Sequence, residues 1–261
     1  MRIARFEAGG SAPALGVVDG DEVRSLEGDP LTHATPGEPV AKLDHVRLLA
    51  PCAPSKVVAM AINFATMDNY VPGQSEPMVF VMPPSTVANP GDAIVNPFPE
   101  LPWWGEAELA VVVKRRLRDA TNEDDVRDAV LGFTVANDTT VQNVDGRDHH
   151  LARSKCPDGF CAIGPWIDTE FAADDCVVEA VQNGEVIRRG RSSEQVWRWP
   201  QQLAWLSSWM TLEPWDVVLT GNPPDTVGMR YLEDGDTYTA RVEGLGELTN
   251  TFALGLASPA S

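Results

Sequence analysis

An unbroken apolar run at residues 109–113, rich in β-branched side chains and followed by three basic residues, limits the possible folds most strongly. Such a run is typical of a β-strand buried on both faces. Glu106 and Glu108 lie just ahead of it. Because alternate side chains of an extended chain point the same way, we expect both carboxylates to face one point. Two acids beside apolar bulk repel each other, so the sequence predicts either a retained proton or a cation between them.

The rest of the chain repeats the same theme of short strands separated by turn-forming residues. Asn183-Gly184 between two apolar segments is typical of a β-hairpin. We predict only two helices: one that Thr121 caps, with Asp124 at the capping-box position, and one from Pro200 to about Met210. Many strands and few helices predict a mostly β fold of the α+β class. Strands are predicted at residues 2–6, 15–18, 22–26, 56–62, 78–82, 93–95, 109–113, 131–136, 162–167, 176–180, 185–187, 217–220 and 238–242.

A break in the pattern divides the chain into two predicted domains. Residues 28–41 carry Gly, Pro, Thr and charge without periodicity, which predicts a loop. Two prolines at residues 51–54 make a second break. We therefore predict a small N-terminal β domain at residues 1–50 and a larger domain at residues 51–261.

Charge and hydropathy exclude several classes of partner. The net charge of the 261 residues is −18, which argues against nucleic acid because phosphate binding needs basic patches. No window approaches the ~20 apolar residues of a membrane span, so we expect no membrane partner. The first residues lack the apolar region of a signal peptide, which predicts a soluble cytoplasmic protein. Four cysteines without Cys-x-x-Cys spacing predict free buried thiols.

Three carboxylates at predicted strand ends form a candidate metal site: Glu106, Glu108 and Asp138. Oxygen ligands without His or Cys suit Mg²⁺ or Mn²⁺, with Ca²⁺ as a further alternative. The competing interpretation is that these are ordinary solvated carboxylates at strand ends. The acidic cluster at residues 122–125 is interpreted as helix capping instead.

Five motifs in order make the chain resemble the fumarylacetoacetate hydrolase family, over about residues 56–254. They are Glu-Ala-Glu-Leu-Ala-Val-Val-Val at 106–113, Leu-Gly-Phe-Thr-Val-Ala-Asn-Asp at 131–138, Arg-Ser-Lys-Cys-Pro-Asp-Gly-Phe-Cys-Ala-Ile-Gly-Pro-Trp at 153–166, Gln-Asn-Gly-Glu-Val at 182–186 and Thr-Leu-Glu-Pro-Trp-Asp-Val-Val-Leu-Thr-Gly-Asn-Pro at 211–223. The family includes C–C hydrolases, 2-oxo-acid decarboxylases, tautomerases, hydratases and lyases, so the resemblance specifies the fold more closely than the reaction.

The resemblance implies a mixed β-sandwich roll, a small N-terminal domain and a homodimer. It implies that the three carboxylates hold Mg²⁺ or Mn²⁺, that Lys155 is the active-site lysine, and that Thr220 and Gly221 hold the substrate carboxylate. A divalent ion bound to a 2-oxo acid or β-dicarbonyl compound would stabilise the enolate as a Lewis acid. An ammonium group beside it would add positive charge where the oxyanion develops. Without the family context, Lys155 is interpreted as a surface lysine.

The chain departs from the family pattern after Asn63. Met67 and Tyr70 stand where family hydrolases carry the His and Glu that activate water, and a thioether cannot take a proton from water. Gln142 replaces a usual Arg and Asn222 a usual Thr. Fewer charges in the pocket predict a less anionic or more apolar substrate than a simple diacid.

Three further differences from the family pattern support the same prediction of a less anionic or more apolar substrate. Met82 replaces a lysine, Asn143 replaces an acidic residue and Trp215 replaces a glycine. Trp103 and Trp104 are expected to form a wall beside the two glutamates, with the core as the alternative place for a tryptophan.

Other residues could serve as the base. His149 and His150 precede Lys155 in a predicted polar loop, and Asp148 could orient one of them. Asp68 and Tyr70 are alternative proton donors or acceptors. For each, the competing interpretation is a solvated loop residue.

The sequence therefore favours a metal-dependent enzyme that acts on a small 2-oxo acid or β-dicarbonyl substrate through an enolate, by decarboxylation, tautomerisation, dehydration or another C–C lyase reaction. One alternative is a C–C hydrolase of the fumarylacetoacetate or acylpyruvate type. The other is a non-catalytic family member that binds a metal or ligand.

Overall fold

The structure is a computed structural model that describes residues 1–67 and 69–255. Its helices are α1 (Glu123–Arg127), α2 (Ala152–Lys155) and α3 (Trp199–Trp209). Its strands are β1 (Arg2–Ala8), β2 (Ala14–Asp19), β3 (Glu22–Asp29), β4 (His33–Lys42), β5 (Val46–Leu49), β6 (Val57–Ala61), β7 (Met78–Met82), β8 (Val87–Ala88), β9 (Ala93–Asn96), β10 (Trp103–Trp104), β11 (Ala107–Val113), β12 (Val130–Asp138), β13 (Thr140–Val141), β14 (Cys161–Asp168), β15 (Val177–Gln182), β16 (Glu185–Arg191), β17 (Val217–Leu219), β18 (Thr237–Val242) and β19 (Gly246–Leu254).

Two main sheets organise these strands. The large sheet has the order β4-β3-β2-β1-β14-β12-β11-β17-β6-β7, with β5 paired to β1 and β8 paired to β14. The five-stranded sheet has the order β16-β15-β18-β19-β9, and β10 pairs with β13. Most pairs are antiparallel, whereas β6 with β17, β8 with β14 and β9 with β19 are parallel. The mostly β, mixed-sheet architecture predicted from the sequence is confirmed.

Strand β11 lies at the centre of the core, and both of its faces are buried. Leu109 and Val111 belong to the apolar cluster that also contains residues of the five-stranded sheet. Ala110 and Val112 pack in a second cluster on the opposite face. Burial on both sides explains why this segment is apolar without alternation.

The predicted loop at residues 28–41 is wrong, because most of it forms strand β4. Pro36 and Pro39 lie in this strand, which is at the end of the large sheet and, among the described strands, pairs only with β3. A proline lacks the N–H donor, and an edge strand tolerates this because its outer side needs no ladder partner.

The small N-terminal strands continue the large sheet. Strand β1 pairs with β14, with Arg2 opposite Asp168 and Ile3 opposite Ile167. The backbone hydrogen bonds therefore run without a break from the N-terminal strands to β12 and β11. The division into domains near residue 50 stays a prediction.

The helices differ from their predictions in detail. Asn122, and not Thr121, caps α1, since its side chain accepts a hydrogen bond from the backbone N–H of Asp125. Pro200 is the second residue of α3, one position later than predicted. The short helix α2 lies within a segment that the sequence predicted to be irregular.

The four cysteines are free, with Cys52, Cys161 and Cys176 buried and Cys156 partly exposed. Burial raises the pKa of the Cys52 thiol to about 12, which keeps it neutral. Within the described ranges, no helix combines the length and the apolar character that a membrane crossing requires.

Candidate active site

The pairing of β11 with β12 brings the three predicted carboxylates together. Ala107 lies opposite Asn137, and Glu108 lies opposite Ala136. Just beyond this pairing, the backbone N–H of Asp138 donates to the backbone carbonyl of Glu106 at 2.9 Å. One carboxylate oxygen from each acid lies within 4.8 Å of the others. Strand alternation explains the side-by-side glutamates, and the antiparallel register explains the position of Asp138.

Lys155 lies in contact with two of these acids. Its Nζ donates to Glu106 Oε2 at 2.9 Å and to Asp138 Oδ2 at 2.7 Å. The lysine side chain is 5% exposed, so the bulk solvent screens these charges little. Lys155 ends helix α2, whose N-terminal amides at Ala152 and Ser154 donate to the Asp148 carboxylate. Asp148 thus caps the helix that positions Lys155, whereas the sequence predicted that it could orient a histidine.

The other carboxylate oxygens of the cluster differ in the number of hydrogen bonds that they accept. Glu106 Oε1 accepts from Trp104 Nε1 at 2.7 Å and from Thr140 Oγ1 at 3.1 Å. Glu108 accepts from the backbone N–H of Gly221. Asp138 Oδ1 is buried and has no hydrogen-bond partner among the described residues. A buried acceptor without a donor is costly, which marks this oxygen as a candidate ligand atom.

Burial and mutual repulsion separate the proton affinities of the acids. Burial opposes ionisation of Glu106, but the charges of Lys155 and Arg188 outweigh it and hold its pKa below the usual value. Burial, together with the charges of Asp138 and Glu106, raises the pKa of Glu108 well above the usual value. Burial raises the pKa of Asp138 to about 7, although Lys155 opposes the rise. Burial disfavours the Lys155 ammonium, yet the adjacent carboxylates hold its pKa above the usual value.

These properties fit a hard divalent cation. One ammonium cannot neutralise three converging carboxylates, and no described residue donates to Asp138 Oδ1. A divalent ion would offset the remaining negative charge and would bind the oxygen ligands that Mg²⁺ and Mn²⁺ prefer. Glu106, Glu108 and Asp138 are the residues that would hold it.

A cavity of about 550 Å³ opens onto Glu106. Trp104 and Met67 line it, together with Asn222 and Arg188. The Glu106 side chain is 20% exposed, so it forms part of the cavity wall while Lys155 lies behind it. The cavity is large enough for a small organic acid.

The loop after β17 contributes several residues to the cavity wall, including Asn222 and Asp225, and Thr220 and Gly221 support it. Thr220 is fully buried, and its hydroxyl donates to Leu109 O at 2.9 Å and accepts from Gln195. Gly221 has φ +107°, and a Cβ there would lie 2.7 Å from Asn63 Cβ, so only glycine fits while its N–H reaches Glu108. Asn222 lines the cavity, and its buried Oδ1 has no hydrogen-bond partner in the described part of the chain.

The side-chain amide of Asn63 fixes this loop by hydrogen bonds to backbone atoms. Its side chain donates to Thr220 O at 2.8 Å and to Trp197 O at 2.9 Å, and accepts from the Trp197 N–H. All these groups are buried or partly buried, so the amide holds backbone segments in place. The substrate contact predicted for Asn63 stays a prediction.

Some of the other residues that were predicted to bind the substrate line the cavity, and some do not. Met67 lines it, whereas Tyr70 and Gln142 are absent from the lining residues within the described part of the chain. Tyr70 is partly exposed and Gln142 is exposed. Asp68 lies outside the described residues.

His149 and His150 line a second cavity, with Phe80 and Trp209. Its described lining residues share none with the cavity at Glu106. Both histidines are exposed. The catalytic role that the sequence suggested for them stays a prediction.

The two tryptophans have different places. Trp104 lines the cavity, as predicted, and the structure shows in addition that its indole N–H donates to Glu106. Trp103 is 2% exposed and packs against Phe252 and Phe160 with ring centroids 5.1 and 6.4 Å away, so its expected place in the wall is wrong. Alternation along β10 turns the two rings to opposite sides.

Arg188 is a cavity residue that the sequence did not indicate. In β16 the pairing passes from Ala180–Arg188 to Val181–Val186, which leaves Ile187 as an extra residue in a bulge. Both Ile187 and Arg188 are consequently buried. If side chains alternated regularly along β16, a buried Ile187 would leave Arg188 in solvent. The bulge interrupts this alternation, so both side chains are buried. The sequence predicted fewer charged residues in the pocket than the family pattern has. Arg188 corrects this prediction, because it adds a buried positive charge to the cavity wall.

Comparison with known proteins identifies the family of the chain. The family model "Fumarylacetoacetate (FAA) hydrolase C-terminal" matches residues 56–253, and the model "Rv2993c-like, N-terminal" matches residues 1–51. The human mitochondrial oxaloacetate tautomerase FAHD2A is 33% identical over 235 residues, which cover 81% of this chain and 71% of the relative.

Solved structures agree over nearly the full length. The 5-carboxymethyl-2-hydroxymuconate delta-isomerase from Mycobacterium smegmatis has a TM-score of 0.87 at 32% identity, covering 98% of this chain and 100% of the other. The maleylpyruvate hydrolase from Sphingobium sp. SYK-6, solved with a manganese(II) ion and pyruvate, has a TM-score of 0.78 at 25% identity with the same coverage. The family model matches most of the chain, and the human relative is 33% identical over 81% of it, so the chain belongs to the fumarylacetoacetate hydrolase family and is an enzyme.

Proposed function

We propose that this enzyme catalyses keto–enol tautomerisation of a small 2-oxo acid. The observation that carries the proposal is the composition of the cavity wall. Among its described lining residues there is no histidine, and Met67 lies where family hydrolases carry one. Tautomerisation needs only the loss and return of a proton next to a carbonyl, whereas hydrolysis also needs an activated water. The similarity to oxaloacetate tautomerase and to an isomerase supports the same reaction.

The metal-binding part of the proposal rests on the three carboxylates. Glu106, Glu108 and Asp138 would hold Mg²⁺ or Mn²⁺, which when bound supplies Lewis-acid polarisation of the substrate carbonyl. Lys155 is fixed against Glu106 and Asp138 by two hydrogen bonds. Its ammonium would stabilise negative charge on the enolate oxygen, and its raised pKa keeps it protonated for that role.

The remaining residues would orient the substrate and limit the access of water. Trp104 fixes the Glu106 carboxylate through its indole N–H and presents its ring to the cavity. Met67 adds an apolar wall. Asn222 has a side-chain amide at the cavity that can bind a polar substrate atom. Thr220 and Gly221 are proposed to shape the carboxylate-binding loop through the contacts described above.

Ultraviolet absorbance of the enol form tests the reaction. With Mg²⁺ or Mn²⁺, we expect the enzyme to accelerate the decay of enol oxaloacetate toward the keto–enol equilibrium, and we expect a chelator to abolish the acceleration. The total concentration of oxaloacetate, keto plus enol, should stay constant. Release of pyruvate from oxaloacetate would instead show decarboxylation, and absence of any metal-dependent rate on a panel of 2-oxo acids would overturn the proposal.

Hydrolysis of a C–C bond is the second candidate, favoured by the similarity to maleylpyruvate hydrolase. Incubation with an acylpyruvate separates the two candidates. A hydrolase releases pyruvate and a carboxylic acid, whereas a tautomerase changes only the enol absorbance. Two product peaks by chromatography would therefore favour hydrolysis.

We also propose that two copies of the chain form a homodimer. Strand β7 ends the large sheet and leaves Met78 and Val81 exposed, at 48% and 44%. Trp209, 47% exposed, lines the same surface cavity as these residues. Apolar exposure beside a free sheet edge is typical of an interaction surface, and sedimentation analysis would measure the mass in solution.

A further inference from the structure

We propose that Arg188 binds a second anionic group of the substrate, so that the enzyme selects 2-oxo acids with a distal carboxylate over 2-oxo monoacids. This inference rests on the proposed function and specifies its substrate class. It assigns a specificity role to a buried residue that the mechanism above does not use.

The position of Arg188 supports this role. Its side chain is 6% exposed, yet it lines the same cavity as Glu106 and Trp104. A substrate anchored near Glu106 would therefore meet a positive charge in the wall of its own cavity.

The guanidinium keeps capacity for another acceptor. It carries five N–H donors in a planar fork that suits a carboxylate. Nη1 reaches Pro223 O only at 3.5 Å, and Nη2 reaches the Met229 sulfur at 3.4 Å. Both contacts are weak compared with an ordinary N–H···O bond of about 2.9 Å. A bidentate carboxylate would form stronger, charge-assisted bonds.

Asp225 supplies the internal counter-charge. Its Oδ1 lies 3.1 Å from Arg188 Nη2, and its side chain is 31% exposed at the cavity. A buried arginine needs such a partner when no anion is bound. An incoming carboxylate would compete with Asp225 for the same face or share it, and the exposed Asp225 side chain can turn to solvent.

The backbone around this pair is fixed. Asp225 forms an isolated bridge with Arg188, Thr226 N donates to Ile187 O at 2.9 Å, and Arg189 N donates to Pro224 O at 3.3 Å. The backbone that carries the Arg188 side chain is therefore held in place beside the cavity. The competing interpretation is that the ion pair only fastens residues 223–229 to β16, and the experiment must separate the two roles.

Binding and kinetics of oxaloacetate and 2-oxobutanoate test the inference, with the metal-loaded full chain and the variants Arg188→Gln, Arg188→Lys and Asp225→Asn. Calorimetry gives Kd for both acids without requiring turnover. Loss of a buried, charge-assisted pair predicts that Arg188→Gln weakens oxaloacetate binding about 30-fold. The same change should leave 2-oxobutanoate within about threefold, since that acid has no second carboxylate. Arg188→Lys should lie between wild type and Arg188→Gln.

Asp225→Asn is the matched control. It breaks the same internal ion pair but leaves the guanidinium, so we expect oxaloacetate to bind as tightly as in wild type or more tightly. Equal losses for both acids in Arg188→Gln, or an equal loss of oxaloacetate binding in Asp225→Asn, would overturn the inference and leave a fastening role. If wild type binds both acids with the predicted selectivity but accelerates no enol decay, the proposed function fails while this inference stands.

Discussion

Two buried groups of charged residues in this protein differ in how well their carboxylates are satisfied. Asp216 is fully buried and accepts from the backbone N–H and hydroxyl of Ser55, from the N–H and ammonium of Lys56, and from the N–H of Glu213. At the carboxylate cluster, the Lys155 ammonium donates to two of the three acids, and Asp138 Oδ1 has no donor among the described residues. Both groups lie beside strands of the same sheet.

The difference distinguishes a structural carboxylate from a candidate ligand set. Every lone pair of Asp216 that the fold can reach has a donor, so its charge stabilises the connections between residues 55–56, 213 and 216. Glu108 and Asp138 instead have raised pKa values because burial and repulsion oppose their ionisation. Acids whose charges are not offset in this way fit a site that binds a divalent cation.

The largest expected effect is that of Glu108→Gln. Loss of one anionic ligand should reduce metal-dependent kcat/KM by about a thousandfold or more, equivalent to about 4 kcal/mol. In chelator, the free energy of unfolding should stay unchanged or rise by about 1 kcal/mol, because one repelling acid is removed. Enol-decay kinetics and urea unfolding measure the two quantities.

The pH dependence of metal-free stability provides an independent check. The pKa of Glu108 is raised above 4.5 in the folded state, so the folded protein retains a proton that the unfolded chain releases. Wild type should therefore lose stability as pH rises above 4.5, and Glu108→Gln should lose less. A variant that is less stable than wild type at neutral pH would contradict the proposed repulsion.

Asp216→Asn should give the opposite result. Removal of the charge from a saturated, buried site should lower the free energy of unfolding by about 3 kcal/mol. Metal affinity and kcat/KM of the folded fraction should stay within about twofold of wild type, since Asp216 lies outside the described cavity lining. A loss of metal binding as large as that of Glu108→Gln would remove the distinction between the two sites.

The smallest expected effect is that of the double substitution His149→Ala with His150→Ala. Because both side chains line the second cavity, we expect kcat/KM to change by less than about twofold. Steady-state kinetics with oxaloacetate measure it, and Lys155→Met serves as the inactive reference. A hundredfold loss would instead establish the catalytic role that the sequence suggested.

The carboxylate cluster was predictable because it depends on local geometry and on a strong resemblance. Alternation alone places Glu106 and Glu108 on one face, and the apolar run predicts a buried strand beside them. The end of a predicted strand indicated Asp138 as a third candidate ligand, the order of family motifs supported it, and Lys155 came from the resemblance alone. The structure adds the antiparallel register and the helix capped by Asp148, which bring these residues into contact.

Arg188 and strand β4 show where local reasoning failed. One extra residue in β16 turns Arg188 inward, and strand alternation cannot reveal a bulge before the partner strand is known. Gly and Pro in β4 indicate a loop unless the strand lies at an edge, which is a property of the sheet order. Both errors concern pairing partners distant in sequence.

The sequence by itself determined the fold class, the family and the paired glutamates, because period, composition and motif order are local properties of the chain. The tertiary structure decided which carboxylate oxygens lack a hydrogen-bond donor among the described residues. It also decided that Met67 and the buried Arg188 line the cavity at Glu106, whereas His149 and His150 line a different cavity. Those outcomes depend on strand register and on the burial of charges, and burial exists only once distant segments have packed together.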